Sequence, residues 1–210
     1  MHVTDRLTEI YDRLLDHYGP QNWWPADSPF EVMIGAVLTQ AAAWSNVEKA
    51  LANLKDADAL SSEAIRKMPL SDLAQLVYPS GYYNAKARKL KALCEFLHDR
   101  FGDDINRMAL VPTSEIRVEL LGVYGIGGET ADDIILYALG HPIFVVDTYT
   151  SRLMHRLGMV DENVSYSELQ SVFMDNLVQN TRLFNEYHAL IVRHAVGSCK
   201  KRPVCPDCPL

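Results

Sequence analysis

Apolar side chains recur along this chain at three- and four-residue steps rather than in alternation. Leu7, Ile10, Tyr11, Leu14, Leu15 and Tyr18 share one face, which predicts an amphipathic helix that Gly19-Pro20 stops. Ser28-Pro29-Phe30-Glu31 reads as the next helix start, with Ser as cap, Pro in the first position and Glu in the third. The helix it opens, Phe30 to Thr39, is apolar almost all round and is expected in the core. Further helices are predicted over 43–54, 61–67, 71–77, 85–101, 113–121, 129–139, 148–157, 165–178 and 182–196. Only Pro142-Ile143-Phe144-Val145-Val146 is β-rich, and it lies between two helical segments. There is no repeat at solenoid spacing and no low-complexity segment. The pattern predicts an all-α chain with no linker that cuts it into sequential domains.

The chain has 210 residues, room for one large domain or two small ones sharing an interface. Hydrophobic residues make up 48% and charged residues 22%, which excludes wholesale disorder. No apolar run reaches the roughly 18 residues of a membrane span, and the segment Met1 to Arg6 has no apolar signal core, so a cytoplasmic location and no membrane partner are expected. Lys plus Arg total 20 against 27 Asp plus Glu, a net −7. That balance argues against binding nucleic acid through bulk charge and leaves only local basic faces. Lys86, Arg88, Lys89 and Lys91 cluster at one helix start, and Lys200, Lys201 and Arg202 lie near the end of the sequence. Each group is either a solvated surface or a backbone contact for a nucleic acid. Cys94 stands alone in an amphipathic stretch and reads as a small buried side chain. The other cysteines crowd together as Cys199-x5-Cys205-x2-Cys208, a grouping that suggests metal or cluster ligation more than disulfides.

The most informative stretch is Leu120-Leu121-Gly122-Val123-Tyr124-Gly125-Ile126-Gly127-Gly128-Glu129-Thr130-Ala131. A helix runs into a tight Gly-Ile-Gly turn and a second helix starts at once. Glycines there permit positive φ and close approach of another molecule, and the new helix start turns unpaired N–H groups outward as a seat for phosphate. The alternative is a plain helical corner. About twenty residues on, Phe144-Val145-Val146-Asp147-Thr148 places an Asp at the entrance of a helix, where it suits an N-cap. Arg152 and Arg156 follow on one face of that helix and reach either phosphate or acids such as Asp132 and Asp133.

Taken together, the Gly-x-Gly hairpin, Val146-Asp147-Thr148, Leu38-Thr39-Gln40, Gly81-Tyr82-Tyr83-Asn84-Ala85-Lys86-Ala87 and the cysteine tail resemble the endonuclease III-like, helix–hairpin–helix superfamily of base-excision DNA glycosylases. The resemblance extends over nearly the whole chain. It implies two α-helical lobes with damaged double-stranded DNA and the extruded base in a cleft between them: a six-helix barrel over 28–140, and a second lobe from 1–27 plus 141–210. It implies that Asp147 is the catalytic aspartate, stabilising positive charge on the deoxyribose and orienting or deprotonating the nucleophile. Gln40 matches the residue that fills the space of the flipped nucleotide. Gly125, Gly127, Gly128 and Thr130 match the hairpin's contacts to the DNA backbone, and Lys200, Lys201 and Arg202 a further backbone contact. A monomer is the default of the family.

Three departures from the family pattern shape the expectation. Lyase-competent members carry a Schiff-base lysine where this chain has Glu129, and a carboxylate cannot form an imine. The implied enzyme is therefore monofunctional, with water attacking C1′; Glu129 serves either the helix dipole or the positioning of water and choice of base. Within the superfamily, Trp23-Trp24-Pro25, Gly35 to Gln40, Pro79-Ser80-Gly81, Tyr83-Asn84 and Val145-Val146-Asp147 are most similar to the 3-methyladenine DNA glycosylase III branch. That likeness implies an aromatic pocket for a methylated purine, with Trp24 and Trp44, and less directly Trp23, as stacking residues or else as packing. The branch's Gln-Asn-Thr is here Gln40-Ala41-Ala42. Finally, Cys199, Cys205 and Cys208 resemble three of the four ligands of the family's [4Fe–4S] loop. A fourth would come from His194, from Cys94 or from a longer chain, or the loop is a relic, and a Cys3His zinc site competes. Rival functions are an endonuclease III-like glycosylase for damaged or mismatched pyrimidines and a non-catalytic reader of lesions or abasic sites.

Overall fold

The computed structural model describes residues 2–206 and 208–210. Among them the chain forms twelve α-helices and no strand. Two compact units emerge, one from residues 26–141 and one from 1–25 joined by 142–210.

In the first unit, α2 (Pro29–Leu38) is buried along its whole run from Glu31 to Leu38. Ser28 caps it, its Oγ accepting from the Glu31 amide at 3.2 Å. The Glu31 carboxylate accepts from the Asp27 amide at 2.9 Å and pairs with Lys55 of α3 (Trp44–Asp56) at 2.7 Å, so a buried acid at the helix start is fully compensated. Helix α6 (Tyr83–Phe101) packs on α2, on α4 (Ser62–Lys67) and on α5 (Leu70–Leu76). The short α7 (Ile105–Ala109) and α8 (Thr113–Leu121) lead to the glycine hairpin and α9 (Gly128–Asp133). Arg117 of α8 grips Asp132 of α9 with two hydrogen bonds, at 2.7 and 3.1 Å, and the Asp132 side chain is fully buried. A two-pronged pair of this kind fixes angle as well as distance, so it clamps the two helices that flank the hairpin.

The second unit packs α1 (Val3–Tyr18) on α12 (Thr181–Gly197), with the Tyr187 hydroxyl donating to the Leu7 carbonyl at 2.9 Å. Helices α10 (Thr148–Arg156) and α11 (Tyr166–Met174) complete it. Residues 142–146 enter α10 as an extended, largely buried run without a partner strand. Side chains of α11 satisfy its backbone instead: Gln170 donates to the Phe144 carbonyl at 2.7 Å and Met174 sulfur accepts from the Phe144 amide at 3.2 Å. The Phe144 ring stacks on Phe173 at 3.8 Å and meets Phe184 and Tyr187 edge-on.

Several element boundaries differ from the sequence expectation. Helix α7 had no strong apolar period; its signal is Asp104, whose carboxylate caps the Asn106 amide at 2.9 Å. A 3₁₀ turn, Tyr78–Ser80, precedes α6. The helix expected through 139 changes to a π turn at Ile134–Ala138, where Leu139 N–H reaches Ile134 O five residues back. Helix α11 ends four residues short of the expected 178, at Met174, where the Asn176 side chain takes up the Val172 carbonyl.

Because Phe144 carries the aromatic cluster under the run that leads into α10, Phe144→Ala is expected to cost about 3–5 kcal/mol and Phe144→Leu less than about 2 kcal/mol, read from urea midpoints at unchanged m.

Candidate functional site

Asp147 sits where the extended run meets α10, and caps that helix. Its Oδ1 accepts from the Thr150 amide at 2.7 Å and from the Thr150 hydroxyl at 2.8 Å. Its Oδ2 lies 3.7 Å from His188 Nε2 on α12, with the Asp147 side chain 11% exposed. Burial pushes the carboxyl up, but His188 and the two Thr150 donors together outweigh it and hold it below its ordinary value of 3.8. The capping and the catalytic readings of Asp147 therefore do not compete: one oxygen serves the helix and the other faces the histidine. No local pattern marks His188, which is distant in sequence and simply continues an apolar helix face.

The hairpin belongs to the other unit. Gly125 is in the left-handed region at φ +80, and a Cβ there would lie 2.4–2.7 Å from the Lys89 side-chain carbons. Gly127 is extended and caps α9, and Gly128 opens it. Glu129 is exposed in the first turn, in the place expected for a lysine. Gln40, in the loop after α2, does not stand apart from the hairpin. Its amide nitrogen donates to Gly125 O at 3.1 Å and to the buried Thr130 hydroxyl at 2.9 Å, and its Oε1 accepts from Lys89 Nζ at 2.5 Å. Thr130, expected as a DNA-backbone contact, thus turns its hydroxyl to Gln40.

The basic cluster at the start of α6 is not one solvated face. Lys86 is 1% exposed and donates to Leu38 O and Ser80 O, both at 2.7 Å. Burial, with Lys89 nearby, pushes its ammonium down to about 8. Lys91 caps the Arg66 carbonyl at 2.8 Å. Arg152 donates to Ala195 O and Cys199 O, and Arg156 to Cys199 O, Lys200 O and Lys201 O. The carbonyls of the tail absorb both guanidinium groups, while the side chains of Lys200, Lys201 and Arg202 stay exposed.

Trp23 and Trp24 lie in the loop after α1, half-buried, with ring centroids 5.2 Å apart. Trp44 opens α3 in the other unit and is also half-buried.

The cysteines do not form a donor set. Cys199 is buried and Cys205 exposed, and Arg156 Nη1 donates to Cys199 Sγ at 3.2 Å. Cys208 Sγ lies 3.7 Å from His194 Nε2, whose Nδ1 is engaged by the Tyr18 hydroxyl at 2.9 Å. Burial, with His17 nearby, lowers the His194 imidazole pKa. Cys94 is in the core of the 26–141 unit beside Ser62, its thiol pushed up to about 12 by burial. Among the described residues no group of three or more His, Cys, Asp or Glu side chains could hold a metal ion. Among the described residues these side chains are not gathered into the donor set of a [4Fe–4S] cluster or of a Cys3His zinc site.

The family described as HhH-GPD superfamily base excision DNA repair protein matches residues 34–178. The chain is 43% identical to "Putative DNA repair glycosylase MJ1434" of Methanocaldococcus jannaschii over 98% of its own length and 94% of that protein. It superposes on Helicobacter pylori 3-methyladenine DNA glycosylase (MagIII) bound to 1,N6-ethenoadenine with a TM-score of 0.78 and 32% identity, covering 92% of this chain and 97% of that one. A non-covalent endonuclease III–DNA complex is similar over all of this chain and 94% of its protein chain, with a TM-score of 0.85 and 26% identity. The capped aspartate, the glycine hairpin and this likeness along the whole chain agree: the chain belongs to the HhH-GPD superfamily of base excision DNA repair proteins, among its DNA glycosylases.

Proposed function

We propose that the protein is a monofunctional DNA glycosylase that hydrolyses the N-glycosidic bond of a damaged, alkylated purine such as 3-methyladenine in double-stranded DNA. The observation that carries this reading is Asp147, a shielded carboxylate held ionised by Thr150 and faced by His188. Capping alone, which a pure DNA reader also needs, engages only Oδ1, whereas glycosidic cleavage gives a role to the Oδ2 that faces His188. As the C1′–N bond breaks, its electron pair leaves with the base and the sugar becomes oxocarbenium-like. A fixed negative charge stabilises that cation best where water is scarce. Water then forms the C1′–O bond, its proton passing by way of Asp147 to solvent, and an intact abasic site remains. An N3-alkylated purine already carries positive charge and is a good leaving group, so recognition matters more than acid catalysis. Trp24, with Trp23 beside it, and Trp44 each supply an aromatic face suited to a cationic ring.

Glu129 supports hydrolysis over lyase chemistry, because the position offers no amine. The hairpin's Gly125, Gly127 and Gly128 and the exposed Lys200, Lys201 and Arg202 are the DNA-backbone contacts of this reading, and Gln40 the residue that fills the gap left by the extruded nucleotide. A second reading is a glycosylase for damaged or mismatched pyrimidines, favoured by the full-length likeness to endonuclease III.

The deciding experiment is base release from methylated duplex DNA, with strand breaks scored before and after hot alkali. Release of 3-methyladenine with breaks only after alkali supports the proposal; release only from pyrimidine-lesion duplexes supports the second reading. Asp147→Asn keeps a competent N-cap and is expected to lose base release by at least about 100-fold while still binding lesion DNA; unchanged release removes Asp147 from the mechanism. The folded-state Asp147 carboxyl is depressed, so it stays ionised, and its stabilising contribution persists, until pH falls below 3.8. Single-turnover release should accordingly show no acid limb above the ordinary Asp value of 3.8 in the wild type, and Thr150→Val should move that limb upward. Glu129→Lys, tested by borohydride trapping on an abasic duplex, is expected to yield a covalent adduct if the hairpin geometry is that of the lyases.

A further inference from the structure

Three lysine-centred contacts in the 26–141 unit have no part in the chemistry above. Lys86 ties the end of α2 to the Tyr78–Ser80 turn from inside the core. One turn along α6, Lys89 lays its stem across Gly125, where a side chain on that residue would collide with it, and brings its ammonium to Gln40 Oε1. Gln40 completes the arrangement by donating to Gly125 O and Thr130 Oγ1. The loop that holds Gln40 is itself wound tightly, with Ala41 in the left-handed region at φ +51. Gln40 is therefore folded onto the hairpin by one charged donor and two acceptors, all from the segments that flank the expected phosphate seat.

We propose that Lys89 is a positioning residue that keeps Gln40 docked on the hairpin in the DNA-free protein and releases it when a DNA phosphate arrives. The inference rests on reading Gln40 as the residue that enters the duplex. An ammonium shared with a neutral amide oxygen has a weaker partner than a phosphate, so phosphate binding at the hairpin takes Lys89 away from Gln40. With Lys89 gone the docked amide keeps only its two neutral hydrogen bonds. Insertion of Gln40 is thereby coupled to backbone engagement and does not occur before it.

The coupling has a signature that a purely structural lysine lacks. On undamaged duplex DNA, where no base is extruded and no gap is filled, phosphate must displace the Gln40 amide from Lys89. Gln40→Ala removes that competition and is expected to tighten binding of undamaged duplex by about three- to ten-fold. A residue that only fills gaps would leave this affinity unchanged. In the Lys89→Met background, which retains the stem over Gly125, Gln40→Ala should change affinity by less than about two-fold, and the salt dependence of log K should flatten by about one unit. Lys89→Arg, which keeps the charge, should restore the effect of Gln40→Ala. Thermal melting of each variant checks that the fold persists. Unchanged or weaker undamaged-duplex binding by Gln40→Ala, or an equal effect in both backgrounds, overturns the latch. If the wild type binds duplex and releases base while these variants behave additively, the latch alone fails; if the wild type binds no duplex DNA, the functional reading fails and the latch with it.

Discussion

A carboxylate kept ionised away from water has to be given donors, and much of the unit formed by residues 1–25 and 142–210 is arranged around that requirement. Two donors come from Thr150, which obliges α10 to begin directly after Asp147. The third neighbour, His188, obliges α12 to lie against α10. The run that delivers Asp147 must then stay extended, so its backbone leans on Gln170 and Met174 and its side chains on an aromatic cluster. In the proposed mechanism, the charge with which Asp147 stabilises an oxocarbenium-like sugar is the same charge that orders the surrounding helices.

The 26–141 unit solves a complementary problem with cations. A chain of net charge −7 cannot rely on its overall field to hold DNA. Its lysines and arginines are instead assigned individually. Lys86 is internal, Lys89 is held at the hairpin, and Arg117 sets the angle between α8 and α9 through Asp132. Lys86 and Arg117 are fixed by close partners, so their effect is local and less weakened by salt than that of a mobile surface lysine.

How much of this was legible in the sequence follows the range of the interactions. Ser28 as a cap, the all-round apolar α2, the glycine hairpin and Asp147 at a helix entrance are written in spacings of a few residues, and each has its counterpart in the structure. The extended run at 142–146 was visible as a β-rich interruption, but that it is satisfied by side chains of α11 was not. His188 beside Asp147 and Lys89 on Gln40 join residues far apart in the chain and follow no period. The basic cluster on α6 and the Arg152–Arg156 pair illustrate the same limit. Charge shows a residue's chemistry, whereas burial and backbone carbonyls decide where that chemistry is spent.

The division of the chain also bears on the order in which it can fold during synthesis. Residues 26–141 are contiguous, so every contact within that unit becomes available before residue 142 is added. Helix α1 is made before the 26–141 unit, yet its partner α12 is made after it, and Leu7 must wait for Tyr187 to complete their shared hydrogen bond. The apolar face of α1, Leu7, Ile10 and Leu14, is therefore without its final cover while residues 26–141 are being produced. The slow, long-loop step of folding thus falls on the unit that carries Asp147. On a growing chain, the hairpin can be assembled long before the carboxylate is in place.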